Sequence, residues 1–471
     1  MKKLLTFIFL FSLALAHAGD EYLGLYKGGD KIGYASYRTQ PATLGKKNVT
    51  RTDTKTIMRF MLLGSPVDMN MTSSTWTSNE GKPLVMRFVQ SSAGRSETVV
   101  ATFGTRTVEI DIASGGRNVH KSLPIPAGGA IVDDPLEVLV GKNAPIGAKQ
   151  TVFVLDPTTA TFMKNQVVLV GPKETTVRER PLKATLIQII DPRMTMDVYV
   201  GSKGELLKVE GPMGIEMLPE SKEVALSMAG TGYKPSSDLA FTTSIRPDKQ
   251  ISDPETLTGL TIQVTGRDLS QLPSDEHQTV RKNDVGWVVD VHPPKLRKDR
   301  LATIAASGLA KPQWLQPTLH IPCDSKTFRD LSKRIIKGET KVVPAALAIK
   351  EFVTNTMRPN AGIGVLRDAS EVLSSKEGVC RDYAILTVTL MRAAGIPARL
   401  ASGVVNWQGD FYYHAWAEVW DGDNWIGIDS TVPQKQISAA HVKLADGNVE
   451  EAFAFTFLDK VKIEVLDLRR K

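Results

Sequence analysis

Three residue types that can together activate a thiol lie within 50 residues of one another near the end of the chain: Cys380, His414 and Asp429. A thiol attacks a carbonyl carbon as the thiolate, so it needs an imidazole to accept its proton and a positive environment to stabilise the anion. An acidic residue can orient that imidazole. The set predicts nucleophilic attack by Cys380, with His414 as base and Asp429 as orienter.

Cys380 stands at the predicted start of a helix. Between Arg381 and Ala394 only three residues are charged, and most of the others are apolar. This pattern is typical of a helix that is buried nearly all round. Gly395 is the expected stop, with Pro397 two residues later. The unpaired N–H groups at the helix start favour a thiolate at Cys380 and are available to an oxyanion.

The other two residues fall on a predicted β-hairpin, two strands joined by a tight turn at 421–424. If Trp420 pairs with Trp425, then Asp429 shares a face of the sheet with His414. The two residues are then diagonal neighbours, about 7 to 8 Å apart at the backbone. This register predicts that the His414 and Asp429 side chains meet. A shift of one residue would place them on opposite faces.

Five motifs follow one another in the order of a known enzyme family. In chain order they are Asp368-Ala369-Ser370-Glu371-Val372-Leu373, Gly378-Val379-Cys380, Leu390-Met391-Arg392-Ala393-Ala394-Gly395-Ile396-Pro397-Ala398-Arg399, His414-Ala415-Trp416 and Asp429-Ser430-Thr431. Together they resemble the transglutaminase-like superfamily of papain-fold cysteine enzymes, over about residues 345–433. The resemblance implies a domain in which a helix headed by cysteine packs on an antiparallel sheet that carries histidine and aspartate.

The resemblance implies that Cys380 is the nucleophile, His414 the general base and Asp429 the orienter. The family often has proline at the position of Ser430, a difference expected to change the turn and not the chemistry. Papain-like enzymes also use a side-chain oxyanion donor upstream of the cysteine, and the sequence does not identify one here. No cofactor or metal is expected.

The remaining cysteine and histidines have no matched partner in the sequence. Cys323 is expected to be a small buried residue. Surface or buried structural roles are expected for the other histidines, which are His120, His277, His292, His320 and His441. Trp416 is expected in the core of the hairpin, on the same face as His414.

The first residues predict export. Lys2 and Lys3 precede an apolar run at 4–16, and Ala16-His17-Ala18 fits the small-x-small cleavage rule, so residues 1–18 are interpreted as a signal peptide cut after Ala18. No later apolar run approaches the length of a membrane span, so a periplasmic or secreted protein without stable membrane insertion is expected. In an oxidising compartment Cys323 and Cys380 could form a disulfide, although a Cys380 recessed in a cleft would resist it.

The charge balance is only mildly basic. The net charge of +7 falls to +5 without the two lysines of the signal peptide. The densest basic cluster, at 295–300, lacks the interleaved aromatic residues of a nucleic-acid surface. No nucleic-acid partner is therefore expected, and the sequence indicates no oligomeric state.

The pattern of the chain predicts an α+β protein. Residues 19–229 are predicted as an antiparallel β domain, one curved sheet or a sandwich, because apolar and polar residues alternate at 107–112 and glycine pairs punctuate the strands. Residues 230–316 are expected to be a small β module or a linker region. Residues 317–471 are expected to form the transglutaminase-like domain, in which helices pack beside the Cys380 helix.

These features predict an exported cysteine enzyme that cleaves or transfers an amide acyl group of a protein or peptide through a thioacyl intermediate. Water as the acceptor would make it a peptidase, and an amine would make it a transferase. The triad alone leaves both open, because they differ only in what reaches the acyl-enzyme. The alternative is a non-catalytic exported binding or scaffold protein that uses the same fold.

Overall fold

The structure is a computed structural model that describes residues 20–140, 144–191, 194–228, 238–296, 302–453, 458 and 461–470. The predicted signal peptide and most of the basic cluster lie outside these residues. The chain forms two compact units, one of Met1–Leu239 with Gly362–Leu366 and the other of Ala240–Ala361 with Arg367–Lys471. Within the described ranges, no helix combines the length and the apolar character needed to cross a membrane.

The first unit is built on a single sheet of fifteen strands. The strands are β1 Glu21–Lys27, β2 Asp30–Leu44, β3 Lys47–Leu62, β4 Ser65–Thr77, β5 Pro83–Ser92, β6 Arg95–Phe103, β7 Thr107–Ser114, β8 Arg117–Pro124, β9 Ala130–Ile131, β10 Lys149–Asp156, β11 Thr161–Val177, β12 Arg180–Asp191, β13 Met194–Val200, β14 Leu206–Glu210 and β15 Ile215–Glu220. Their spatial order runs from β8 to β1, then to β15, and back down to β9. All neighbours are antiparallel except β9 and β10. The predicted antiparallel β domain is confirmed.

Alternation of buried and exposed side chains explains this sheet. On β7, Val108, Ile110 and Ile112 are buried, while the residues between them are partly or fully exposed. Successive side chains of a strand point to opposite faces, so the buried ones line a single face. The two-residue alternation of apolar side chains in the sequence therefore matches the alternation of buried side chains in the structure.

Glycine pairs make two of the tight turns. Gly28 and Gly29 have φ of +58° and +87° and connect β1 to β2 between the paired residues Lys27 and Asp30. The pair Gly115-Gly116, at +56° and +78°, connects β7 to β8 in the same way. Two-residue hairpin turns of this type need positive φ at both central positions, which glycine adopts without strain.

Helices account for most of the remaining regular structure. They are α1 Lys222–Leu226, α2 Leu239–Thr242, α3 Ile304–Ala310, α4 Lys326–Ile336, α5 Val342–Thr356, α6 Ala369–Ser375, α7 Cys380–Ala393 and α8 Val449–Ala452. Eleven of the fourteen residues of α7 are buried, which confirms the predicted helix that is buried nearly all round. Gly395, with φ of +82°, follows its end.

The second unit contains two four-stranded sheets and one short parallel pair. The first sheet has β16 Leu257–Thr265, β17 Gln278–Lys282, β18 Trp287–Val291 and β25 Lys462–Arg470; the second has β21 Ala398–Trp407, β22 Asp410–Trp420, β23 Trp425–Ile428 and β24 His441–Gly447; the pair is β19 Arg358–Pro359 and β20 Glu377–Gly378. Helix α7 contacts β21 and β22 as well as α4, α5 and α6. It is the central helix of this unit.

The division of the chain expected at 229/230 and 316/317 stays a prediction. In the structure, β16 pairs with β25, the last strand of the chain. The described part of 240–316 therefore belongs to the same compact unit as the helix that begins at Cys380.

Candidate active site

The turn before Cys380 is held by a buried ion pair. The Asp382 side chain accepts a hydrogen bond from the Val379 N–H at 3.0 Å, which caps the start of α7. Arg367 lies 3.2 Å from the same carboxylate, and both side chains are fully buried. Gly378 fits beneath this pair because a Cβ there would lie 2.5 Å from the Cβ of Asp382. The ion pair therefore fixes the position of Cys380, the nucleophile, between this turn and α7.

His414 and Asp429 meet as the hairpin register predicts. Trp420 pairs with Trp425, and Asp429 follows the last residue of β23. The His414 Nε2 atom lies 2.7 Å from Asp429 Oδ2. The other carboxylate oxygen of Asp429 accepts hydrogen bonds from the Thr431 N–H at 2.8 Å and from the Thr431 hydroxyl at 2.7 Å. Thr431 thus orients the acid that orients the histidine.

Cys380 is the third residue of this group, next to His414. Its thiol forms hydrogen bonds with the His414 ring and with the backbone of Ala415. Because Nε2 of His414 is bound to Asp429, the nitrogen left for the thiol is Nδ1. Cys380 and His414 are both partly exposed, whereas Asp429 is buried. Part of Cys380 and part of His414 are thus open to solvent, while the acid stays shielded from water.

The charges of the three groups support one another. Burial alone would raise the pKa of Cys380, but the charge of His414 and its hydrogen bond outweigh burial and lower that pKa. Burial would lower the pKa of His414, and the charges of Asp429 and Cys380 instead raise it well above its ordinary value. Burial would raise the pKa of Asp429, and the charge of His414 instead lowers it well below its ordinary value. This arrangement favours a thiolate–imidazolium pair.

His441 is a residue of this site that sequence reasoning missed. Its Nε2 atom lies 3.6 Å from Asp429 Oδ2, and its ring contacts the rings of His414 and Trp416 at centroid distances of 5.9 and 5.3 Å. His441 is buried, which is one of the two roles expected of it, but it lies beside the acid of the site. Only the pairing of β24 with β21 brings it to the site, and no local pattern in the sequence indicates that pairing. His414, Asp429 and His441 are also the described residues whose ligand atoms could together hold a metal ion.

Trp416 lies where the sequence predicts, in the core and on the face of His414. It is 1% exposed, and its ring stacks on the His414 ring at a centroid distance of 6.4 Å and an angle of 22°. The bulky ring limits the positions that the imidazole can adopt.

The remaining cysteine and two of the histidines have surroundings of their own. Cys323 is buried, and burial raises the pKa of its thiol. Both cysteines are free. Exposed His120 contacts Asp111, whereas buried His277 contacts the His441 carbonyl oxygen at 2.8 Å and burial lowers its pKa to about 4.

A buried charge network supports the strand that carries His414. Glu418 lies on β22, and its carboxylate is 2.8 Å from Lys443 and 2.7 Å from Arg399. Lys443 also lies 2.5 Å from Asp275, on the segment before β17. The Lys443 side chain is fully buried, so its charge is compensated by these carboxylates rather than by water. The network ties β22 to β21, β24 and the neighbouring segment.

Comparisons with known proteins agree with this geometry. Residues 329–430 match the model of the transglutaminase-like superfamily. An uncharacterized protein of Mycobacterium leprae is 30% identical over 126 residues, which cover 25% of this chain and 44% of that protein. An uncharacterized protein of Mycobacterium tuberculosis is 27% identical over 164 residues, which cover 31% of this chain and 43% of that protein. The chain thus spans less than half the length of these relatives.

A solved structure of a candidate cysteine protease from Cytophaga hutchinsonii aligns with a TM-score of 0.31 and 19% identity, covering 46% of this chain and 86% of that chain. The matched family segment contains Cys380, His414 and Asp429 in order. Residues 329–430 are therefore similar to the transglutaminase-like superfamily.

Proposed function

We propose that this protein is an exported cysteine enzyme that cleaves or transfers an amide acyl group of a protein or peptide substrate. The observation that carries the proposal is the continuous contact from Cys380 to His414 and from His414 to Asp429. Each partner is of the type that thiol catalysis needs, and each is held by packing or hydrogen bonds of its own. The position of Cys380 at a helix start adds a stabilising field for the thiolate.

Acylation would begin with attack of the Cys380 thiolate on the amide carbonyl carbon. A C–S bond forms and the carbonyl π electrons move to oxygen, near the N–H groups at the start of α7. His414 then gives its Nδ1 proton to the amide nitrogen, the C–N bond breaks, and the amine leaves. The products of this half-reaction are a thioester on Cys380 and a neutral His414.

Deacylation would reverse the roles. An acceptor attacks the thioester carbon while His414 takes the proton of the acceptor, and the C–S bond breaks to restore the thiolate and the imidazolium. Water as the acceptor gives hydrolysis, and a primary amine gives transfer. Asp429 stabilises the imidazolium at both stages.

A direct test uses the full chain, a cell-envelope protein extract and a labelled primary amine, with mass spectrometry of the products. Peptide termini that appear only with Cys380 present would support a peptidase, and incorporation of the label would support a transferase. Identical products from the wild type and Cys380→Ala would reject catalysis and leave the non-catalytic binding or scaffold protein.

The export part of the proposal is supported by the residue pattern at 1–18. It is tested separately, by mass spectrometry of the N-terminal peptide from the protein recovered in a periplasmic or secreted fraction. A first residue of Gly19 is expected. An intact residue 1 in cytoplasmic material would contradict export without bearing on the chemistry.

A further inference from the structure

The His441 ring lies between two oxygen acceptors. Its Nδ1 atom is 3.2 Å from the carbonyl oxygen of Ser438, and its Nε2 atom is 3.6 Å from Asp429 Oδ2. A carbonyl oxygen only accepts, so Nδ1 carries the hydrogen, and the Nε2 of a neutral ring turns its lone pair toward the carboxylate.

This lone pair has nothing to bind within the described chain. His441 is 5% exposed, and its Nε2 makes no hydrogen bond to the described residues. Two acceptors that face each other in a buried site repel, and a cation between them would remove that repulsion. The contact therefore points to a bound cation.

His414 supplies the third ligand. One ring nitrogen of each histidine and a carboxylate oxygen of Asp429 lie within 4.8 Å of one another. Two imidazoles and one carboxylate are the ligand set of many three-ligand zinc sites, whose fourth position holds water. Ligand atoms at zinc-bonding distance are about 3.3 Å apart in a tetrahedron, and the separations from Asp429 Oδ2 are 2.7 and 3.6 Å. Small shifts of these three side chains would bring their ligand atoms to bonding distance of one ion.

The surroundings favour the same arrangement. The contact of Nδ1 with the Ser438 carbonyl aims Nε2 of His441 inward, the outer-shell contact that ligating histidines usually have. Thr431 binds the Oδ1 atom of Asp429 and leaves Oδ2 for the ion. Trp416 lies against both imidazole rings.

We propose that His414, Asp429 and His441 form an inhibitory site for a divalent transition-metal ion of the zinc type. Binding replaces the proton on Nε2 of His414 with the metal and releases that proton. The coordinated ring is neutral and holds its only hydrogen on Nδ1, so giving that hydrogen to the leaving amine would leave an imidazolate. Metal binding therefore removes His414 as the acid of the acylation step. This consequence rests on the proposed function, whereas the binding itself does not.

The test begins with the full-length Cys380→Ala protein, because removal of the thiol removes a competing zinc ligand. Titration calorimetry with Zn²⁺ is expected to give one ion per chain. A second substitution, His441→Gln, in the Cys380→Ala protein should weaken Zn²⁺ binding by at least about 100-fold. Even changes to outer-shell partners lower metal affinity by about 10- to 100-fold. The matched control is His292→Gln, at a partly exposed histidine 3.8 Å from Asp290, and it should leave the affinity unchanged.

Co²⁺ provides a second measurement that needs only the Cys380→Ala protein. Intense visible bands of a four- or five-coordinate ion are expected. The weak spectrum of a six-coordinate ion would mean binding to surface carboxylates and would overturn the proposal, even if His441→Gln did not fold.

Two calorimetric results would also overturn the proposal. Equal Zn²⁺ affinity in all three variants would mean adventitious surface binding only, and binding that needs Cys380 would assign the ion to the thiolate. If the metal-free enzyme is inactive, the proposed function is rejected, but the calorimetric evidence for metal binding still holds.

Discussion

The Nε2 atom of His414 lies 2.7 Å from Asp429 Oδ2, and this contact decides which ring nitrogen serves the thiol. Nδ1 is the nitrogen left to face Cys380. Asp429 therefore acts on the nucleophile through the orientation and charge of the imidazole, without contact with the substrate. It is a positioning residue whose substitution should change turnover more than substrate binding.

Asp429→Asn keeps the shape of the side chain and removes the charge that stabilises the imidazolium. Turnover should fall, but less than in Cys380→Ala, because an amide can still orient the ring. Asp429→Ala also frees the ring and should lower turnover by about 10²- to 10⁴-fold, the range that a positioned general base supplies. The measurement is the steady-state rate on a substrate found by the mass-spectrometric screen.

The control for Asp429 is Asp421→Asn in the same hairpin. Asp421 is also buried, but it caps the turn through the N–H groups of Asp423 and Asn424. Its loss should lower stability and keep the rate per folded molecule. Equal loss of rate in both variants would mean that the Asp429 effect is only structural.

Cys380→Ala should abolish turnover and leave the fold intact. The change removes one sulfur atom at a helix start and should cost at most about 1 to 3 kcal/mol of the free energy of unfolding, the usual range for a point substitution. Cys323→Ala, at a buried cysteine away from the site, should keep the activity. Denaturant unfolding and rate measurements on both variants test this. Failure of Cys380→Ala to fold would give the cysteine a structural role instead.

Lys443→Met should destabilise the second unit. It removes the closest cation of Asp275 and one of the two cations of buried Glu418, which keeps only Arg399. Removal of one partner of a buried pair costs about 3 to 5 kcal/mol. Lys326, which is 90% exposed and pairs with Asp330 four residues later, is the matched control, and Lys326→Met should leave the free energy of unfolding unchanged. Equal unfolding midpoints for the two variants would contradict a role for the network.

The parts of the site that local sequence could predict are those set by short-range structure. The burial pattern of α7 follows from the helical spacing of its apolar residues, and that helix starts at Cys380. The register of the β22–β23 hairpin follows from its short turn, and it brings His414 to Asp429. Both predictions needed no contact between distant segments.

The parts that could not be predicted depend on distant segments. His441 reaches Asp429 only because β24 pairs with β21, and β16 joins the last strand of the chain across about 200 intervening residues. Arg367 and Asp382 form their buried pair across a segment that contains α6 and β20. Such pairings depend on the packing of the whole unit, and the periodicity of apolar residues in the sequence does not predict that packing.

The central claim is that Cys380, His414 and Asp429 act as one thiol-activating unit, and the rate of iodoacetamide labelling near pH 6 tests it without a substrate. Cys323 is the internal reference, because burial raises its pKa while His414 lowers that of Cys380. At this pH the thiolate fraction of Cys380 should be larger than that of Cys323. Mass spectrometry should find Cys380 labelled far faster than Cys323, with the difference lost in His414→Ala and reduced in Asp429→Ala. Equal labelling of the two cysteines, or a Cys380 rate indifferent to His414, would contradict the account.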